Sequence, residues 1–171
     1  VKTYDLYTDS GGTLLADGTK LSKDDLCVEA IGTVDEINSF LGVIYAQLAD
    51  EKLTSMIDFI QRNLCRINSV LGNANVNFER SRVLAIEKMI QELETGLSPL
   101  SHFILSGSGL LSAHIQFARA LVRTAERRVG ALSVKNENIL PFLNRLSDLL
   151  FQMARNVDQA EKRSERLWKG E

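Results

Sequence analysis

Proline is almost missing from this chain, with two residues in 171. Proline interrupts helices and interior strands, so its scarcity leaves room for long helices. Cysteine and histidine are as rare, two of each. Cys27 and Cys65 form neither a metal-ligand spacing nor a disulfide framework, and the expectation is two reduced thiols in a cytoplasmic protein. His102 and His114 follow Pro99 and Leu111 by three positions, so the Glu-x-x-His pairs of a di-iron bundle are absent. Four clustered zinc ligands are not available, and no protein-bound metal site is expected. There is no Gly-x-Ser-x-Gly elbow and no strand followed by Gly-x-Gly-x-x-Gly. No apolar run approaches the ~20 residues that span a bilayer. The N-terminus shows no apolar signal core. An excess of one charge is lacking too. The formal net charge is −2, which argues against nucleic-acid or membrane-surface binding and makes any basic cluster a local feature.

What is present is helical periodicity. Val34, Ile37, Leu41, Ile44 and Leu48 are spaced by three and four, as a helix seam requires. Thr33 is expected to cap this first helix, with Glu36 closing a capping box and Asp35 in the first turn. A second seam runs Ile57, Ile60, Leu64, Ile67, Leu71 and stops at Gly72. A third runs Val83, Ile86, Ile90, Leu93 and stops at Gly96. The fifth, Ile139, Leu143, Leu146, Leu150, Met153 and Val157, tolerates Pro141 in its first turn. Five seams predict an all-α, up-and-down five-helix bundle in a single domain, 1–171. An irregular arm over 1–32 precedes a bundle over 33–165. The segments 1–7 and 26–31 are expected to be short extended pieces, and the charged tail after Lys162 is expected to fray.

The fourth helix carries the chemistry. Its seam is Leu111, Ile115, Ala118, Val122, Ala125, Val129, Leu132, an unbroken heptad pattern. Beside the seam, Arg119, Arg123 and Arg127 stack four residues apart, with Glu126 on the same face. Two readings fit. One is a solvated face neutralised by Arg–Glu pairs within the helix. The other is a site for polyphosphate or carboxylate, which guanidinium forks match. The arm adds Gly11, Gly12, Gly18, Lys20 and Lys23 among hydroxyls, a composition that can cradle phosphate but is no Walker loop. The connection 96–109 is the longest in the bundle and is unusually apolar, with Leu100, Phe103, Ile104 and Leu105. They would either cap the core or serve a ligand.

Several blocks occur in a recognisable order: Lys23-Asp24-Asp25, Val28-Glu29-Ala30, Gly32-Thr33-Val34-Asp35-Glu36-Ile37-Asn38-Ser39, Phe103-Ile104-Leu105, Ala118-Arg119, Arg123, Ala125-Glu126-Arg127-Arg128 and Asn144-Arg145-Leu146-Ser147-Asp148. Together they resemble the PduO-type ATP:cob(I)alamin adenosyltransferases over nearly the whole chain. The resemblance implies a ferritin-like bundle assembled as a homotrimer, with active sites between subunits. It implies transfer of the 5′-deoxyadenosyl group of ATP to the cobalt of cob(I)alamin, with release of triphosphate. The ligands it implies are ATP, Mg2+ and cobalamin. Further partners would be an adenosylcobalamin-dependent enzyme and a reductase.

By the same match, Thr8, Ser10, Gly11 and Gly12 fall in the ATP arm, and Lys23 is its phosphate-contacting lysine. Arg123, Glu126 and Arg127 match helix residues that hold ATP, and Asn144 another ATP contact. Asp35 and Arg119 match a salt-bridged pair across the subunit interface; with Arg123 they are the expected catalytic set. Phe103 matches the aromatic residue that presses on the lower face of the corrin. Displacing the lower axial ligand eases reduction of Co(II) to nucleophilic Co(I). The arm departs from the family pattern, reading Tyr7-Thr8-Asp9-Ser10-Gly11-Gly12-Thr13 and running about three residues short. Cys27 and Thr124 stand where arginines are usual, and Ser106 and Ser108 interrupt the usual Pro-Gly-Gly. The shortened arm motivates one alternative, a non-catalytic adenosylcobalamin carrier with a degenerate arm; a second is a structural helical oligomer whose arginine ladder pairs with Asp35 across an interface.

Overall fold

The computed structural model describes residues 6–134 and 136–170. The five expected bundle helices are α2 (Leu26–Tyr45), α3 (Glu51–Leu71), α4 (Arg80–Glu94), α5 (Leu110–Gly130) and α6 (Ile139–Ala160), preceded by a single turn, α1 (Leu6–Asp9). The seams read from the sequence are the buried faces. Val34, Ile37, Leu41 and Ile44 of α2 are fully buried, as are Ile57, Ile60, Leu64 and Ile67 of α3. Each such side chain withdrawn from water contributes roughly 1.5–3 kcal/mol.

The helices do not pack in chain order. α2 lies between α3 and α5, and α6 lies between α5 and α4. That placement explains why α6 is buried on the broadest face, with Phe142, Leu149 and Ala154 inside as well as its heptad positions. The α3–α4 connection must therefore cross one end of the bundle. Its Phe78 plugs that end edge-on against Phe142, with ring centroids 5.1 Å apart. Asn136 and Asn138 donate side-chain hydrogen bonds to the Phe78 carbonyl at 3.1 Å, satisfying a buried acceptor there.

Two short antiparallel ribbons sit on the bundle. β1 (Gly12–Leu14) pairs with β2 (Lys20–Ser22), and β3 (Phe103–Leu105) pairs with β4 (Arg166–Trp168).

Several sequence expectations are corrected. The segment 26–31 is helical, because the first helix begins at Leu26 and not near residue 33. Its N-cap is Asp25, whose carboxylate accepts the Cys27 N–H at 2.8 Å. Thr33 is therefore mid-helix, its hydroxyl donating back to the Glu29 carbonyl at 2.7 Å, and Asp35 is not in the first turn. The fifth helix ends at Ala160, and the tail beyond it does not fray but supplies β4. Residues 1–5, expected to be extended, lie outside the described residues, while Leu6–Asp9 is a helical turn.

Candidate functional site

The structure bears on one part of the first reading of the fourth helix, the pairing of its arginines with Glu126. The seam positions Ile115, Ala118, Val122, Ala125 and Val129 are fully buried, which fixes the rotation of α5 and turns Arg123 and Arg127 outward. Intrahelical Arg–Glu neutralisation does not occur. Arg119 donates to Gln116 Oε1 at 2.7 Å, and Arg127 donates to Thr124 Oγ1 at 3.1 Å, both uncharged acceptors. Arg123 forms no hydrogen bond or ion pair among the described residues. Glu126 instead accepts from Asn144 of α6 at 2.9 Å. Three guanidiniums on one face thus stand without a carboxylate partner among the described residues. Burial, and then the Arg123 charge, pull the Arg119 pKa below the ordinary guanidinium value. A polyanion or a partner carboxylate would relieve that repulsion.

The Glu126–Asn144 contact joins two predicted site residues from different helices. A neighbouring pair was not foreseen as such. Arg128 forms an ion pair with Glu29 at 2.6 Å and also donates to the Thr33 hydroxyl, tying α5 to the start of α2. Both residues lie within the blocks that carry the family resemblance, the only signal that marked them. Asp35 is exposed and forms no ion pair with Arg119 within one chain. It stays available to a neighbouring molecule.

In the arm, the Lys23 N–H donates to the Gly11 carbonyl at 2.9 Å, and Gly12 pairs with Ser22. Gly11 has φ +85°, a left-handed conformation that glycine adopts without strain. The hairpin therefore brings Gly11, Gly12 and Lys23 together, with Thr8 and Ser10 just before it on the chain. The Lys23 side chain is exposed. The hairpin of the arm docks on the α3–α4 connection. The Ala16 N–H donates to the Gly72 carbonyl at 2.9 Å, and Asn73 donates to Asp17 at 3.2 Å. Cys27, where the family usually has arginine, donates to the Leu71 carbonyl at 3.4 Å, and burial pushes its thiol pKa up.

Phe103 does not cap the core. It is 77% exposed, a large apolar ring held out on β3. Its strand partner is Trp168, whose ring lies 6.1 Å away at a tilt. The two rings line an open cleft of about 710 Å³, together with Gln116, Arg119 and Phe151. One wall is therefore aromatic, and the other carries the first rung of the arginine ladder. Among the described residues, no three His, Cys, Asp or Glu side chains come together as metal ligands.

Residues 4–157 match the family model described as cobalamin adenosyltransferase. The chain belongs to the cobalamin adenosyltransferase family. It is 36% identical to a corrinoid adenosyltransferase of Bacillus subtilis, over 92% of this chain and 87% of that one. It is 35% identical to a corrinoid adenosyltransferase of Bos taurus, over 98% of this chain and 76% of the relative. Solved structures agree. A variant PduO-type ATP:corrinoid adenosyltransferase from Lactobacillus reuteri, complexed with cobalamin and ATP, superposes with a TM-score of 0.90 at 27% identity, covering 99% of this chain and all of that one. A second variant of that enzyme, complexed with ATP, gives 0.87 at 28% identity, covering 97% of this chain and 99% of the other. No helix of this adenosyltransferase-family chain is long and apolar enough to cross a membrane, among the described residues.

Proposed function

We propose that this chain moves the 5′-deoxyadenosyl group of ATP onto the cobalt of a reduced corrinoid. Family and fold place it among the corrinoid adenosyltransferases, with ATP and a corrinoid as ligands. The observation that carries the residue assignment is the guanidinium ladder, without carboxylate partners among the described residues, beside an aromatic cleft. The Co(I) electron pair attacks C5′ of the ribose, a Co–C bond forms, the C5′–O bond breaks, and its electron pair leaves with triphosphate. The protein's part is to align the two reactants and to compensate the charge that develops on the leaving triphosphate.

Arg123 and Arg127 face that triphosphate, in a site between subunits, with Lys23 and the Thr8–Ser10–Gly11–Gly12 arm of the neighbouring subunit closing over it. Glu126 and Asn144, already joined at 2.9 Å, hold the nucleoside side. Magnesium would enter on the triphosphate, since the ladder is cationic and no metal-ligand cluster occurs among the described residues. Phe103 presses on the corrin. The solved Lactobacillus reuteri relatives include variants of one phenylalanine and of one arginine, at positions 20 apart in that chain. Phe103 and Arg123 are also 20 apart, which supports this division of labour.

The active unit is a homotrimer in which Asp35 of one subunit pairs with Arg119 of the next. The exposure of Asp35 and the lack of an acidic partner for Arg119 among the described residues support it. Two unpaired thiols support a cytoplasmic setting.

The test is direct. Purified protein with cob(I)alamin and MgATP is expected to form adenosylcobalamin, followed by its visible absorption. Arg123→Ala is expected to abolish MgATP binding in a calorimetric titration while the oligomer stays intact. A folded protein that yields no adenosylcobalamin would sink the proposal. Arg119→Ala is expected to weaken assembly as well as turnover, and a fully trimeric, active variant would remove the interface role.

A further inference from the structure

The β3–β4 ribbon presents a physical problem. Two strands of three residues have no stability of their own in water. Both strands are largely exposed, with Phe103 at 77%, Leu105 at 44% and Trp168 at 52%. They also come from distant parts of the chain, so closing the ribbon has an entropic cost. Something outside the ribbon must hold both strands.

Arg155 of α6 does so. It is a cation only 5% exposed, yet it lies in none of the catalytic sets above. Its Nη2 donates to the Ser98 carbonyl at 2.7 Å, on the connection that leads into β3. Its Nε donates to Glu165 Oε1 at 2.7 Å, the residue immediately before β4. One planar guanidinium thus grips both approaches to the ribbon, a geometry that a lysine ammonium does not reproduce. The same guanidinium lies 6.0 Å from the Phe151 ring, which lines the cleft with Phe103 and Trp168. Its neighbours on α6 each hold one side: Gln152 bonds Glu94 at 2.8 Å and Gln159 the Gly96 carbonyl at 3.1 Å, while the Asp158 carbonyl accepts the Arg163 N–H at 2.8 Å. Further out, Arg166 donates to the Ser106 carbonyl at 2.8 Å and Arg163 to that of Ser108 at 3.3 Å, both exposed.

We infer that Arg155, with Glu165, is a positioning residue for the corrin face of the site: it holds the lead-in to β3 and the lead-in to β4 together and so fixes where Phe103 stands. The inference rests on the proposed role of Phe103 against the corrin. It assigns the otherwise unexplained tail 161–168 to the reaction through its anchoring and requires no contact between Arg155 and either substrate.

The decisive variant is Glu165→Gln, because Glu165 is partly exposed and the change keeps its shape. Arg155→Lys is the companion, retaining charge but not the double grip. In steady-state assays with MgATP and cob(I)alamin, each is expected to lower kcat/KM for the corrinoid by about tenfold, as small misplacements of a reacting group do. The ATP dissociation constant by titration is expected to match the parent. The visible absorption of enzyme-bound cob(II)alamin is expected to show less of the form lacking its lower ligand. In a Phe103→Ala background, Glu165→Gln is expected to add no further loss, since it acts through Phe103. Unchanged corrinoid kinetics in folded Glu165→Gln and Arg155→Lys would overturn the inference. So would losses that add fully to those of Phe103→Ala, or equal losses in ATP and corrinoid binding tracking a lower Tm. A Phe103→Ala enzyme with parental kinetics would instead remove the role of Phe103 itself, and the inference with it.

Discussion

The two ribbons have the same size and pairing but are built in opposite ways. β1 and β2 are joined by the turn 15–19, closed by hydrogen bonds from Leu15 to Thr19 at 2.9 Å and from Gly18 to Leu15 at 3.0 Å. β3 and β4 are separated along the chain by both α5 and α6. A local hairpin costs little to close and can be specified by its own turn residues. A non-local ribbon must be fastened by the rest of the fold. The fastenings differ accordingly: an exposed Asp17–Asn73 contact and one backbone bond for the first, a buried guanidinium for the second. The chemistry divides along the same line. The local ribbon presents glycine and lysine, suited to phosphate; the non-local ribbon presents two aromatic rings, suited to a flat apolar ligand.

That contrast predicts separable defects. The largest is expected from Phe103→Ala, which removes the exposed ring and leaves β3 in place. Turnover is expected to fall by about a hundredfold or more, as for a misplaced reacting centre. MgATP binding in a calorimetric titration should be unchanged. Lys23→Ala is expected to do the reverse. Losing one charge-assisted contact to phosphate should raise KM for ATP by about tenfold, with the corrinoid KM unmoved. If either variant shifted both constants equally, the division between the ribbons would be wrong.

A glycine pair sharpens the comparison. Gly18 in the local turn has φ +85° and open space around an added Cβ, whereas Gly107, just beyond β3, has φ +103° and would place that atom 3.0 Å from Arg166 Nη1. Alanine at either position meets backbone strain of about 1–2 kcal/mol. Only at Gly107 must a neighbouring side chain also give way, and that side chain holds the Ser106 carbonyl. Gly107→Ala is therefore expected to raise the corrinoid KM more than Gly18→Ala raises the ATP KM. Parallel steady-state series at saturating partner substrate would check the order.

How far these features were legible follows from the same distinction between local and distant contacts. Heptad spacing found all five bundle helices, because a seam such as Ile115–Ala118–Val122–Ala125–Val129 is a local pattern and burial follows it. The start of α2 was misplaced because periodicity appears only where the apolar seam begins, while the helix is initiated about two turns earlier by the Asp25 carboxylate. The resemblance of motif blocks put Arg123, Glu126, Asn144 and Phe103 in one site, and the structure joins Glu126 to Asn144 directly. The tail was misjudged for a physical reason. Arg163, Glu165 and Arg166 look like a solvated charged end, and only folding reveals a buried arginine waiting for Glu165 and carbonyls waiting for the other two. Asp17 and Asn73 were invisible likewise, since neither spacing nor composition links a turn aspartate to a residue beyond the end of α3.

The smallest expected effect concerns that last contact. Asp17 accepts the Thr19 N–H at 2.9 Å and the Asn73 side chain at 3.2 Å. The Thr19 hydrogen bonds, with Asn73 adding to them, hold the Asp17 carboxyl below its ordinary pKa. A lowered carboxyl pKa stabilises the arm fully above the ordinary aspartate value, and the contribution is lost only as pH falls through Asp17's own lower value. Across the working range the carboxylate is therefore ionised whether the arm is docked or not. Asn73→Ala is expected to raise KM for ATP by about twofold, since an exposed hydrogen bond contributes little. The ratio of variant to parent should stay flat between about pH 6 and about pH 8, because no change in Asp17 protonation falls there. Asp17→Asn should give a similarly flat profile while also weakening the turn at Thr19. A ratio that changed with pH in that window would mean the arm is latched by some other titrating group, and the local ribbon would then be as dependent on distant residues as the one that carries Phe103.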